Sequence, residues 1–149
     1  MRNQQEEIAC SFNQTIFYEV GYVKEIIRVR VLELFDLFEN YSYYAIRFEF
    51  LDKKNEQVFY TNVPGEEVES FCIALDKIYN FLDTKSKYYS EVVFKSAEGF
   101  ETGCYWEKDA KKWIPYARFG NVPESIHAFN KRDFKTFISK INAAKEKIL

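Results

Sequence analysis

The chain has few of the residues that build irregular or metal-bound proteins. Its 149 residues include only 5 Gly, 3 Pro, 3 Cys and 1 His. Scarce Gly and Pro argue against long irregular loops. Three widely spaced cysteines without a C-x-x-C pair are not typical of a disulfide framework or a zinc site. We therefore expect a chain of regular elements that binds no cofactor and no metal.

Targeting and membrane-spanning segments are also missing. No apolar run approaches the length that crosses a bilayer. The first ten residues are polar and lack the apolar core of a signal peptide. We expect a cytoplasmic protein with no membrane partner.

Catalytic motifs are scarce as well. The sequence has no Gly-rich phosphate loop, no H-E-x-x-H and no nucleophile elbow. The single histidine, His127, stands in a short apolar run and is interpreted as structural, and Cys72 and Cys104 as packing residues. The sequence therefore predicts that the protein is not an enzyme.

What is present is a repeated amphipathic stripe. Apolar residues recur with helical spacing near the end of the chain and again 66 positions earlier. The later stripe is Phe134, Phe137, Ile138, Ile141, Ala144 and Ile148, and the earlier one is Val68, Phe71, Cys72, Leu75, Ile78 and Leu82. Asn130 is a plausible N-cap for the later helix, and Pro64 stands where the earlier helix begins.

Strand-like runs precede each stripe. They span residues 15–20, 24–35, 41–51 and 57–61 in the first half, and 88–95, 100–107, 112–119 and 125–129 in the second. Gly21 is expected to end the first strand. A slip in alternation at Val31 and Leu32 predicts either a β-bulge there or a strand covered on both faces.

The expected fold is α+β, with two consecutive ββββα units of antiparallel sheet, each backed by one C-terminal amphipathic helix. The chain would form one domain with an internal pseudo-repeat at about 12–83 and 84–149. Each helix is expected to lie on the strands of its own half. The rival is a single barrel capped by one helix, as in pleckstrin-homology modules, which leaves the mid-chain helix unexplained.

Charge divides unevenly between the halves. Residues 1–83 hold 8 Lys and Arg against 15 Asp and Glu, whereas residues 84–149 hold 13 against 8. The halves could pack together through this difference, or the second half could meet an anionic partner. We favour the first interpretation, since bulk charge bias is a weak indication of function.

Strand alternation places basic and aromatic residues together on the side away from the apolar core. The candidates for nucleic-acid binding are Arg28, Arg30, Tyr43, Arg47, Lys112, Tyr116 and Arg118. Cations can hold phosphates and rings can stack on unpaired bases. Carboxylates such as Glu49 and Glu101 share that side, however, and opposite charges across strands also stabilise ordinary sheets.

The doubled strand–helix plan resembles the Whirly-type single-stranded-DNA-binding fold, in which two ββββα units lie side by side. Residues 88–149 alone are similar in layout to the single unit of the transcriptional positive-coactivator family. The resemblance covers most of the chain as element order, and implies single-stranded nucleic-acid binding and self-assembly. The short lysine-bearing strand motif of plant Whirly proteins is absent, so no functional residue is carried over.

Two functions from different classes follow. The first is a non-catalytic, single-stranded nucleic-acid-binding domain, with a role in transcriptional regulation. The alternative is a protein-interaction or self-assembly module without nucleic-acid binding, since Tyr and Arg are also enriched at protein contacts. The excess of aromatic residues, 19% of the chain, predicts a homo-oligomer in either case.

Overall fold

The computed structural model describes residues 10–148, which form two four-stranded antiparallel sheets and two α-helices. The first sheet has the order β1-β2-β3-β4 and the second the order β5-β6-β7-β8. The elements are β1 (Asn13–Val23), β2 (Ile27–Asp36), β3 (Tyr41–Asp52), β4 (Gln57–Pro64), α1 (Val68–Phe81), β5 (Glu91–Lys95), β6 (Glu101–Glu107), β7 (Lys112–Arg118), β8 (Ile126–Ala128) and α2 (Lys131–Ile148). The α+β class with two ββββα units is confirmed, and the single-helix barrel is excluded.

Both helices begin as the sequence predicts. The side-chain Oδ1 of Asn130 accepts a hydrogen bond from the backbone N–H of Asp133 at 2.8 Å, which caps α2. Pro64 and a 3-10 turn, Gly65–Glu67, lead into α1. The predicted apolar stripes are buried apart from the half-buried Leu82, Ile138 and Ile148. Neither described helix has the length and apolarity needed to cross a membrane.

The two helices exchange sheets, so the expectation that each would lie on its own half was wrong. α2 packs mainly on β1, β2 and β3 and also touches β7, whereas α1 packs on β5, β6 and β7. The ring of Phe71 on α1 stacks on Phe94 of β5, with 5.4 Å between centroids. Lys24, after β1, forms a 2.7 Å ion pair with Asp133 of α2. Helical periodicity predicts which side of a helix is apolar, but it does not specify the sheet that covers that side.

The core is therefore shared by both halves. Phe48 of β3 is fully buried at its centre. Its ring stacks on Phe100 at 4.8 Å and lies 5.7 Å from Phe119, both from the second half. It also contacts Phe71 of α1 at 6.2 Å and Phe137 of α2 at 5.5 Å. One aromatic cluster thus joins both sheets and both helices.

The irregularity in the first hairpin lies on β1 rather than β2. Strand pairing shifts between Glu19 and Gly21, and β1 continues through Gly21, whose φ of +152° suits glycine. β2 pairs with β3 without a shift, so the bulge predicted at Val31 and Leu32 was wrong and so was the break at Gly21. The alternative is confirmed: both residues are buried, on opposite faces of the strand.

Candidate functional site

The seven predicted binding residues all lie on the sides of the sheets that face away from the core, but on two different sheets. Arg28, Arg30 and Arg47 alternate with buried residues of β2 and β3, and Tyr43 lies on the same side of β3 as Arg47. Lys112, Tyr116 and Arg118 belong to β7. The structure thus separates the predicted set into a group of four on the first sheet and a group of three on the second.

Two arginines of the first sheet form ion pairs with carboxylates. Arg28 Nη2 lies 2.7 Å from Glu19 Oε2, and its Nε also donates to that carboxylate. Arg30 Nη2 lies 3.0 Å from Glu49 Oε2, which is also 3.7 Å from Arg28 Nη1. The hydrogen bonds from Arg28 lower the pKa of Glu19 below its usual value. These pairs satisfy much of the positive charge that a phosphate would otherwise meet.

Arg47 has a different environment. Its Nε donates to Asn62 Oδ1 at 3.0 Å, and no carboxylate of residues 10–148 forms an ion pair with it. Its guanidinium carbon lies 5.8 Å from the centre of the Phe17 ring and 5.9 Å from that of Tyr60. The guanidinium carbon of Arg30 also lies over the Phe17 ring, 4.7 Å from its centre. Cations and rings therefore form one continuous cluster across all four strands.

The rings on this side of the sheet are open to solvent. Phe17 is 47% exposed, Tyr43 51% and Tyr60 57%. Phe17, Tyr43 and Arg47 line one open depression with a volume of about 790 Å³. We call Phe17, Arg30, Tyr43, Arg47 and Tyr60 the open face.

Two members of the open face, Phe17 and Tyr60, escaped the sequence-based prediction. Each stands in a run of large apolar residues, I-F-Y and V-F-Y, in which alternation cannot be read. The pairing register reveals them: Phe17 lies opposite Leu32, and Tyr60 opposite Glu49, which faces outward. From the sequence, these two residues could have been identified only by pairing their strands with β2 and β3, in which alternation shows the outward-facing positions.

The second sheet arranges similar residue types differently. Tyr116 is only 6% exposed, and its hydroxyl donates to Glu101 Oε2 at 2.6 Å. Arg118 Nη2 forms an ion pair with the same carboxylate at 3.2 Å. Burial, and then the hydrogen bond to Glu101, raise the pKa of Tyr116. Lys112 is exposed at the far end of β7, opposite Glu107. Tyr116 thus presents no ring on which a base could stack.

Other polar groups have local partners. The Glu33 carboxylate accepts hydrogen bonds from Tyr18, Ser42 and Tyr44 at 2.8, 3.0 and 3.3 Å, and these hydroxyls lower its pKa. His127 packs edge-on against Phe129 at 4.8 Å, and burial lowers its pKa.

The two buried cysteine thiols and the acidic groups give no reactive or metal site among residues 10–148. Burial raises the pKa of Cys104 to about 12 and also raises that of Cys72, so both thiols stay protonated at neutral pH. No group of three or more His, Cys, Asp or Glu side chains in the described chain could hold a metal ion.

Comparison with known proteins gives no indication of function, so the open face is the main one. The likeness to Whirly-type domains stays a prediction based on element order. No protein-family model, no curated protein and no solved structure matches this chain.

Proposed function

We propose that this protein is a non-catalytic self-assembly module that buries the open face of its first sheet against a second copy of the chain. The observation that carries the proposal is the group of three rings, Phe17, Tyr43 and Tyr60, each about half exposed on one sheet. Exposed aromatic patches of this kind mark interaction surfaces, and Tyr and Arg dominate the binding energy of protein contacts. We place the protein in the cytoplasm as part of this proposal.

Charge on the first sheet favours a protein partner over a polyanion. Three arginines share the outer side with two carboxylates, and Arg28 and Arg30 are already paired with Glu19 and Glu49. A phosphate approaching Arg28 or Arg30 would be repelled by the carboxylate that already lies 2.7 or 3.0 Å from the guanidinium. Phosphate contacts contribute most when the cations are free to replace counterions. The pairing of these charges therefore supports a protein partner more than a single-stranded nucleic acid.

A second copy suits this surface because the surface carries both signs of charge and its own apolar rings. In a two-fold contact both copies use the same patch. Each side chain must therefore pack against the same residue or against a complementary residue of the other copy. Arg28 and Arg30 form ion pairs with Glu19 and Glu49 of the same copy, and these pairs can persist while the rings pack together. An assembly of this kind buries the rings with Arg28 and Arg30 still paired, while Arg47 keeps its hydrogen bond to Asn62 and its contacts with the Phe17 and Tyr60 rings.

Single-stranded nucleic-acid binding, the first expectation from the sequence, is the second candidate. Arg47 carries it, since this guanidinium has no ion-pair partner among the described residues and lies between two exposed rings. One free cation with two rings would hold a short segment of unpaired bases weakly. Binding of this kind would depend on stacking more than on phosphates, and so would change little with salt.

Sedimentation equilibrium tests the first candidate with matched variants. We expect the wild type to associate at micromolar concentration, and the double variant Tyr43→Ser/Tyr60→Ser to associate less. The control is Tyr88→Ser/Tyr89→Ser, which removes two tyrosines that are even more exposed but lie just before β5. Equal masses for the two double variants would contradict the proposal.

Fluorescence anisotropy with a labelled oligothymidine tests the second candidate. The self-assembly function predicts no measurable affinity at low salt, where phosphate attraction is strongest. Binding that Arg47→Ala and Tyr60→Ser both weaken would establish the nucleic-acid function instead.

A further inference from the structure

We infer that β1 forms a second contact between copies, in which its free edge pairs antiparallel with the β1 edge of another chain about a two-fold axis at Ile16. This inference rests on the proposed self-assembly function and specifies its geometry. It uses the edge of the first sheet, whereas the open face uses its outer side. The two contacts can therefore be removed separately.

The backbone of β1 offers unpaired groups along this edge. The N–H of Leu37 donates to the carbonyl of Phe12 at 2.8 Å, which marks these two residues as a hydrogen-bonded pair. Hydrogen-bonded and non-hydrogen-bonded pairs alternate in an antiparallel ladder. The pairing register then directs the N–H and C=O groups of Asn13, Thr15, Phe17 and Glu19 away from β2. Among residues 10–148, no strand pairs with this edge.

Three other strands also end a sheet, and each has a feature that discourages pairing. β5 carries Glu91 and Lys95 at its two ends, and β8 has only three residues. β4 ends in Pro64, which has no N–H, and Gln57 at its start shares a recess with Val122 of the second half. Charge, proline and short length are the usual protections of a sheet edge.

β1 lacks these protections over its first six residues. The segment 13–18 reads N-Q-T-I-F-Y, with no charge, no proline and no glycine. It is rich in β-branched and aromatic residues, which favour strand pairing. Its first charge is Glu19, and the bulge between Glu19 and Gly21 ends the regular edge.

The register follows from these limits. A two-fold axis at Ile16 places Thr15 opposite Phe17 of the second copy, and Asn13 opposite its Glu19. The outward-pointing residues then form about eight backbone hydrogen bonds. No carboxylate faces another, since each Glu19 meets an amide side chain. The two first sheets become one eight-stranded sheet, and the two open faces lie side by side on it.

Disulfide trapping tests this register. The variant Cys10→Ser/Ile16→Cys removes the exposed thiol and leaves Cys72 and Cys104 buried. Ile16 would face its own copy as a non-hydrogen-bonded pair, with about 4.5 Å between Cα atoms, which suits a disulfide. The matched control is Cys10→Ser/Gln14→Cys, whose two copies of Gln14 would lie about 13 Å apart. We expect a covalent dimer under mild oxidation from the Ile16 variant only, and equal trapping from both would overturn the register.

A proline variant tests the edge itself. Thr15→Pro removes an N–H that points away from β2, so the monomer should keep its circular dichroism spectrum and melting temperature. We expect the dissociation constant of the edge contact to rise about tenfold or more, measured by sedimentation in the Tyr43→Ser/Tyr60→Ser background. An unchanged constant together with absent trapping at Ile16 would overturn the inference.

Failure of one contact is distinguishable from failure of the other. If the edge inference fails and the open-face function holds, Tyr43→Ser/Tyr60→Ser lowers the mass whereas Thr15→Pro does not. If the open-face function fails and the edge inference holds, Ile16→Cys traps a dimer and the tyrosine variants leave the mass unchanged.

Discussion

The outer sides of the two sheets hold the same kinds of residue in opposite states. On the first sheet Tyr43 and Tyr60 are more than half exposed, and Arg47 has no acidic partner among the described residues. On the second sheet Tyr116 is closed over by its neighbours, and its hydroxyl shares Glu101 with Arg118. Residue type and strand parity thus determine the side of the sheet, whereas the cross-strand partner determines whether a side chain is available.

Local pairing explains the difference. Tyr116 lies opposite Gly103, which has no side chain on the outer side. A Cβ at Gly103 would lie 1.9 Å from the Val92 carbonyl oxygen, so this position accepts only glycine. Tyr43, in contrast, lies opposite Leu34, and its ring meets Tyr41 edge-on at 4.7 Å. The partner of Tyr116 thus has no side chain that would hold the ring away from the sheet, whereas the partner of Tyr43 is a leucine.

The largest expected effect comes from the inner side of the first sheet. Phe48→Ala should reduce the free energy of unfolding by about 3–5 kcal/mol, because it opens a cavity between rings of both halves. Trp106 and Trp113 report on the second half. In denaturant titration of Phe48→Ala, the unfolding transition followed by tryptophan fluorescence and the one followed by circular dichroism should both move to lower denaturant concentration. The two midpoints should move by the same amount.

Tyr60→Ala, on the outer side of the same sheet, is the control and should change stability by no more than about 0.5 kcal/mol. If Phe48→Ala leaves the midpoint of the tryptophan-fluorescence transition unchanged, the two halves fold independently.

The second effect separates the two outer sides. Tyr116→Phe should cost about 1.5–3 kcal/mol, since it removes a hydrogen bond from a buried hydroxyl to a partly buried carboxylate. Tyr43→Phe removes a hydroxyl on an exposed ring and should cost less than about 0.5 kcal/mol. Equal losses in thermal or urea denaturation would contradict the difference between the sheets.

The stability of the protein at alkaline pH should also depend on the Tyr116 hydroxyl. Burial and the Glu101 hydrogen bond hold the folded-state pKa of Tyr116 above its ordinary value of 10.0. The folded chain therefore keeps a proton that the unfolded chain releases. The contribution of the Tyr116 hydroxyl to the free energy of unfolding is complete below pH 10 and declines as the pH rises above it. Urea denaturation from pH 8 to 11 should show a shallower decline for Tyr116→Phe than for the wild type.

The smallest effect concerns the carboxylates of the first sheet. Glu19→Gln/Glu49→Gln removes the ion pairs of Arg28, which is exposed, and of Arg30, which is partly buried. It should reduce stability only modestly, because a glutamine side-chain oxygen can still accept a hydrogen bond from each guanidinium. It should, however, create salt-sensitive binding to oligothymidine in the anisotropy assay. Glu91→Gln/Glu107→Gln on the second sheet is the control and should bind no better than the wild type. If the first pair of substitutions creates no affinity, the carboxylates are not what prevents phosphate binding.

Much of the fold could be predicted because periodic burial is local. The stripes of α1 and α2 and the alternation at Arg28 and Arg30 follow from spacing within one element. The exchange of helices between sheets, the bulge at Gly21 and the burial of Tyr116 depend on residues far apart in the chain. The candidate site was predicted in part: Tyr43 and Arg47 lie in it, whereas Phe17 and Tyr60 became visible only through the pairing register.

Hydroxyl-radical footprinting tests most directly whether the open face is the surface that assembles. The oxidation of each aromatic side chain would be measured at dilute and concentrated protein. We predict that Phe17, Tyr43 and Tyr60 become protected on concentration, while Tyr88 and Tyr89 remain as reactive as in the dilute sample. Unchanged reactivity at Tyr43 and Tyr60 in a concentrated sample that has associated would contradict the account.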